Sequence, residues 1–289
     1  MAIPMDHLPA ACAVVLLGIA QDGGVPQAGC ECPACLAGYT QPESRPLVAC
    51  LGLIDRRQNA AWLIDATPDF PLQLHRLRQA APGCTLRGIF ITHAHIGHYT
   101  GLVHLGREAW NTRRLPVYGS PALGGFLAAN APWDQLLRLG NIVFQPLPPE
   151  TPLALGDGLS LTPIPVPHRG EYSDTLGYAV QGPARRLFYC PDIDRWEQAG
   201  PALQAELHGC DVALLDGTFF SGDELPGRNM AEVPHPPVRA AAPWLRQFGA
   251  QIVFTHFNHT NPLLRPGPER DWLAAQGCAA GEGGMAWEL

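Results

Sequence analysis

The apolar run Ile89-Phe90-Ile91-Thr92 breaks off into His93-Ala94-His95-Ile96-Gly97-His98, and this junction constrains the fold more than any other part of the chain. A short run rich in β-branched and aromatic residues reads as a buried strand. In the extended backbone that continues it, residues i and i+2 face the same way, so His93 and His95 present their imidazoles to one point. A turn then brings His98 to the same mouth, and a helix-like stretch over 99–106 is predicted to begin there and pin it. Three imidazoles converging at a strand end predict a transition-metal centre on the rim of a sheet.

Such a rim needs other strands ending beside it. Short apolar runs of the same kind recur at 14–17, 48–54, 62–64, 159–166, 187–189, 212–215 and 252–255. Three of them end on a group suited to a metal: His168, Asp192 and His256. Helical spacing appears at 70–80 after Pro68-Asp69, at 122–129 after Ser120-Pro121, and at 238–248. Strands interspersed with helices predict an α/β chain in which helices cover the sheets. No repeat of fixed period is visible, and the Pro-rich stretch 146–152 reads as a loop inside one domain spanning 1–289.

A second cluster lies near the N-terminus, where Cys30, Cys32 and Cys35 form a C-x-C-x-x-C loop. Three thiolates are a soft donor set that favours zinc. The fourth ligand is absent locally, and His259 and His235 are the candidates. Nine cysteines, an odd number, fit a reducing compartment better than a disulfide framework. Cys12, Cys50, Cys84, Cys190, Cys210 and Cys278 read as small buried hydrophobes.

A formal net charge of −7 without any Lys/Arg-rich run argues against nucleic acid or an anionic membrane surface as the main partner. The stretch 10–20 reads as a buried first strand, since no Lys or Arg precedes it as in a signal peptide. No apolar run approaches the roughly 20 residues of a membrane span. A cytoplasmic protein acting on a small-molecule or peptide-derived substrate is the expectation, and a homodimer is admissible.

The order H-x-H-x-x-H, His, Asp, His at strand ends resembles the ligand order of the metallo-β-lactamase superfamily. The resemblance implies a four-layer αββα sandwich, with two mixed sheets flanked by helices. It also implies that His93, His95 and His168 bind one metal, that Asp192 bridges, and that His98 and His256 serve a second. Asp65, closing the run 62–64, matches the family's first motif as a residue behind the ligands. Gly97 departs from the pattern: the family usually has an Asp there, which supplies an oxygen to the second metal. Within the superfamily the chain is similar to the coenzyme PQQ synthesis protein B family through Gly23-Gly24-Val25-Pro26-Gln27, the Cys loop, Thr100-Gly101-Leu102, Leu115-Pro116-Val117-Tyr118, the segment 215–220 with Asp223-Glu224, and Asn258-His259-Thr260-Asn261-Pro262. That family replaces the first two histidines and keeps the Asp, whereas both histidines stand here. The Cys loop resembles the superfamily's phosphodiesterase branch, which pairs it with a His three residues past the last active-site His; this implies His259 as the fourth ligand of a structural zinc.

These residues point to a metal-dependent hydrolase. Zinc held by imidazoles lowers the pKa of its water to about 7 and generates hydroxide at neutral pH. Asp192 would orient that hydroxide or take its proton, and His98 or His256 would bind a second metal or polarise an ester, phosphodiester or cofactor-precursor substrate. Arg169, beside His168, is a candidate anion contact. Two alternatives stand beside this: a redox enzyme carrying iron, with manganese a further option for the site, and a metal-binding protein without catalysis.

Overall fold

The computed structural model describes residues 3–4, 10–225 and 232–289. Two mixed sheets pack face to face and are flanked by helices. The first contains, in spatial order, β1 (Ile3–Pro4), β15 (Met285–Glu288), β2 (Cys12–Gly18), β3 (Cys50–Asp55), β4 (Ala60–Ile64), β5 (Thr85–Phe90), β6 (Leu115–Gly119) and β7 (Ile142–Pro146). The second runs β14 (Ala279–Ala280), β13 (Gln251–Thr255), β12 (Val212–Asp216), β11 (Arg186–Cys190), β10 (Thr175–Gln181), β9 (Leu159–Val166) and β8 (Leu153–Gly156). The Pro-rich stretch 146–152 is the loop that carries the chain from one sheet to the other.

Side-chain alternation sorts each inner strand between two apolar layers. Along β2, Cys12, Val14 and Leu16 enter the core between the sheets, while Ala13, Val15 and Leu17 enter the layer shared with Phe70, Leu74 and Leu77 of the helix Phe70–Ala80. Along β4 the same division separates Ala60, Trp62 and Ile64 from Ala61 and Leu63. Strands buried on both faces read as continuous apolar runs, which is why they were legible.

The sheets share a plan that decides where their ends meet. In the first, β2, β3 and β4 alternate in direction, and β4 to β7 are parallel. In the second, β9, β10 and β11 alternate, and β11 to β14 are parallel. Thus β2, β4 and β5 end at one edge of their sheet, and β9, β11, β12 and β13 end at one edge of theirs.

Several expectations need adjustment. The run at 89–92 leaves the sheet after Phe90 because the side chain of Asp65 replaces a backbone partner: the Thr92 N–H donates to Asp65 Oδ1 at 2.8 Å. The helical stretch begins earlier than 99, as a turn over Ile96–Tyr99 that includes His98, and continues as a 3-10 helix over Thr100–Leu105. A backbone clamp sets this path, with the Ala66 N–H donating to His98 O at 2.8 Å and the Gly101 N–H donating to Ala66 O at 2.9 Å. Gly101 is needed for that approach, since a Cβ there would strike the Thr67 carbonyl and lie 2.8 Å from Phe70 Cβ. The helix at 238 stays α-helical only to Leu245, with Arg246–Phe248 in 3-10 form. Of the scattered cysteines, Cys84 is half-buried rather than buried. No described helix is long and apolar enough to cross a membrane.

Candidate metal centre

The strand ends of both sheets converge on one rim. Residues just past β2, β4 and β5 provide Asp22, Asp65, His93, His95 and His98, and residues closing or following β9, β11, β12 and β13 provide His168, Asp192, Asp216 and His256. Ligands commonly sit in the crevice outside the carboxyl ends of strands, and here two sheets share one such crevice. Asp65 and His256 take left-handed backbone conformations, φ 73° and 63°. Each costs about 1–3 kcal/mol for a residue with a side chain. Both conformations turn the chain sharply where a β-strand meets the rim.

His93, His95 and His168 form the first donor group. His95 Nδ1 lies 2.7 Å from His93 Nε2 and 3.2 Å from His168 Nε2. The outer ring nitrogens are all engaged: His168 Nδ1 at 2.7 Å from Asp194 Oδ1, His95 Nε2 at 3.0 Å from Glu171 Oε2, and His93 Nδ1 at 3.0 Å from Thr92 Oγ1. A carboxylate can only accept, so Asp194 and Glu171 draw the N–H outward and leave lone pairs pointing inward. Burial, reinforced by the neighbouring charge of His98, holds His93 well below the usual imidazole range, and burial lowers His168 as well. Neutral imidazoles with inward lone pairs are the form that binds a metal.

The second group is Asp22, His98, Asp192 and His256. His98 Nδ1 donates to Asp65 Oδ2 at 2.7 Å, and His256 Nδ1 lies 2.9 Å from Thr218 Oγ1. The inner Nε2 atoms face carboxylates: His98 Nε2 is 2.9 Å from Asp192 Oδ2 and 3.1 Å from Asp22 Oδ1, and His256 Nε2 is 3.4 and 3.3 Å from the same two atoms. Asp192 stands between the groups, its oxygens 3.8 Å from His93 Nε2 and 4.0 Å from His168 Nε2. Burial disfavours the Asp192 carboxylate, yet the surrounding imidazoles outweigh it and hold the group well below the usual carboxylate range. Asp192 Oδ2 is buried and makes no hydrogen bond despite these neighbours. A buried anionic oxygen aimed between ring nitrogens without hydrogen-bond geometry fits a site for a cation.

Sequence reading missed Asp22, Asp216, Asp194, Glu171 and the true place of His235. His235 groups with Asp216 and His256 and not with the Cys loop. Its Nδ1 donates to Asp216 Oδ2 at 2.7 Å and stands 3.8 Å from Asp192 Oδ1, on the rim of the His/Asp cluster. Burial opposes its charge, but Asp216 prevails and raises the pKa to about 9. The available signal was that Asp216 closes a strand as Asp192 follows one. Arg169 sits on the rim, 43% exposed, with Nε 3.7 Å from Glu171 Oε1.

The Cys loop closes with His259. His259 Nδ1 lies 3.5 Å from Cys30 Sγ and 3.4 Å from Cys32 Sγ, and Cys35 completes a set whose ligand atoms all lie within 4.8 Å of one another. Two clefts flank the rim. One of about 620 Å³ is lined by Asp22, His95, Tyr99, Arg169 and Tyr172; the other, of about 570 Å³, is lined by Arg195, Trp196, Pro234, His235, Pro237 and Trp244.

The model of the β-lactamase superfamily domain matches residues 61–257, which hold nearly all of this rim. The chain belongs to the β-lactamase superfamily. Within the superfamily it is similar to coenzyme PQQ synthesis protein B of Cupriavidus necator, at 30% identity over 93% of this chain and 97% of that protein. Among solved structures, zinc-bound PqqB from Methylobacterium extorquens shares the superfamily fold at a TM-score of 0.81 and 22% identity, covering 96% of this chain and all of that one. A diphosphatase of the PhnP family gives a TM-score of 0.71 and 22% identity, covering 100% of this chain and 98% of that one.

Proposed function

We propose that the chain is a metal-dependent hydrolase of a small ester, phosphodiester or peptide-derived cofactor precursor, in which His93, His95 and His168 hold one divalent ion and Asp192 spans to a second held with His98 and His256. The observation carrying this reading is the 2.7 Å approach of His93 Nε2 and His95 Nδ1, with the outer nitrogen of His95 committed to Glu171. Two lone pairs so close need a cation or a proton between them. A bound zinc ion supplies Lewis acidity and water acidic enough to attack near neutral pH.

The remaining chemistry falls to the chain's own groups. Asp192, standing between the two donor groups, orients the attacking water. His235, whose Nδ1 donates to Asp216 Oδ2 and which lines the cleft beside the site, is placed to return a proton to the leaving group. Trp196, Pro234, Pro237 and Trp244 give the cleft beside His235 an apolar wall suited to an aromatic or aliphatic portion of the substrate. The Cys30, Cys32, Cys35 and His259 set leaves no open position among its four donors and would hold a structural zinc.

Similarity to coenzyme PQQ synthesis protein B favours a second reading, an iron-dependent oxidation of a peptide-derived quinone precursor. One experiment separates the two. Freshly purified protein is analysed for metals, then loaded with zinc or iron and assayed for hydrolysis of bis(4-nitrophenyl) phosphate and an ester panel and for oxygen consumption with a catechol-bearing peptide. Hydrolysis by the zinc form supports the first reading; turnover only with iron and oxygen refutes it.

A further inference from the structure

We infer that Asp22, in the loop after β2, is a direct metal ligand that takes over the volume and the role of a carboxylate at position 97. The inference rests on the reading above, that His98, Asp192 and His256 hold a metal.

The outer nitrogens of His98 and His256 are occupied by Asp65 and Thr218, so only their Nε2 atoms face inward. Two carboxylate oxygens meet that pair, Asp192 Oδ2 from the second sheet and Asp22 Oδ1 from the first. Two imidazoles, each neutral when it binds a metal, and two carboxylates from four separate segments make a compact donor set. Its charge of −2 matches a divalent cation.

Gly97 explains how Asp22 gets there. A Cβ built on Gly97 would collide with Asp22 Oδ1 and lie 2.7 Å from both Cα and Cγ of Asp22. Gly97 has no left-handed φ that would demand glycine, so space and not backbone freedom accounts for it. Asp22 therefore fills, with its Cα as well as its carboxylate, the volume that a side chain at position 97 would need.

The approach of Asp22 is built rather than incidental. The Phe257 N–H donates to Ile19 O at 2.7 Å and the Gln21 N–H donates to Phe257 O at 2.9 Å, which ties the loop to the residue after His256. The chain then turns at Gly24, φ 70°, whose N–H donates to Gln21 O at 2.7 Å. Asp22 is thereby held against both imidazoles with its side chain only 12% exposed.

The test measures zinc per chain and zinc affinity by chelator competition in the full-length protein, for wild type, Asp22→Asn and Asp22→Ala. Loss of outer partners already weakens metal sites by roughly 10–100-fold, so both single variants are expected to lose one zinc equivalent or bind it at least about 100-fold more weakly. The zinc of the Cys set and that of His93, His95 and His168 should remain. Unchanged affinity in Asp22→Asn and Asp22→Ala overturns the inference, as does a wild type with no zinc beyond the other two sets. Asp22→Asn keeps the shape of the side chain, so a folding failure of Asp22→Ala leaves a usable variant. Because the readout is metal content, a wild type that binds this zinc yet hydrolyses nothing refutes the hydrolase reading alone.

Discussion

His259 Nδ1 lies 3.4 Å from Cys32 Sγ across a separation of 227 residues, joining the loop after β2 to the loop after β13. Those two loops also carry Asp22 and His256. A metal held by the Cys set would therefore act as a rivet behind the second donor group.

Removing the rivet should cost both metal and stability. Cys32→Ala is expected to lose one zinc equivalent. Structural zinc is worth on the order of 10–16 kcal/mol in isolated peptides, and even a loss of about 3 kcal/mol would lower Tm by roughly 6–12 °C in a domain of this size. Metal analysis with thermal unfolding checks it, and an unchanged zinc content and Tm would reject the structural-zinc assignment.

His95→Ala should separate the two kinds of site. Turnover is expected to vanish and the zinc of the rim to weaken, while the Cys-bound zinc stays, because His95 touches only His93, His168 and Glu171 among these groups. Activity persisting in this variant would contradict the placement of the first ion.

Asp194 is predicted to act through His168. Asp194→Asn leaves the fold intact but removes the carboxylate that fixes Nδ1–H outward at 2.7 Å. Metal affinity should fall by roughly 10–100-fold with Tm of the metal-free protein little changed. Equal affinities in isothermal titration would show that the tautomer is set by other contacts.

The thiols of the Cys loop should react unequally once metal is removed. Burial acts against ionising Cys32, but hydrogen bonding with His259 and the neighbouring thiols prevails and lowers it to about 6, whereas burial pushes Cys35 up to about 12. At pH 7.5 Cys32 is then largely thiolate and Cys35 is not. Brief iodoacetamide treatment of chelator-stripped protein, read by peptide mass spectrometry, should label Cys32 well ahead of Cys35; as pH falls through about 6 the preference should fade.

Local sequence determined the strands whose apolar runs are continuous and the His and Asp groups that stand at their ends, because a buried strand and an i, i+2 pair of imidazoles are properties of a few neighbouring residues. His93, His95, His98, His168, Asp192 and His256 were legible on that ground, as were Cys30, Cys32 and Cys35. The strands at 115–119, 142–146, 153–156, 175–181 and 285–288 were not read, since partial burial, Pro116 and Gly177 interrupt the pattern that marks a strand. Only tertiary structure decided the rest. Asp22, Asp194 and Asp216 are single acids in polar surroundings along the chain, and they gain meaning because strand direction and register deliver seven chain ends to one rim. The same geometry moved His235 from a candidate for the Cys loop to the His/Asp cluster. It also set Asp22 against Gly97, a relationship between distant residues that composition and spacing do not encode, because steric exclusion acts through space.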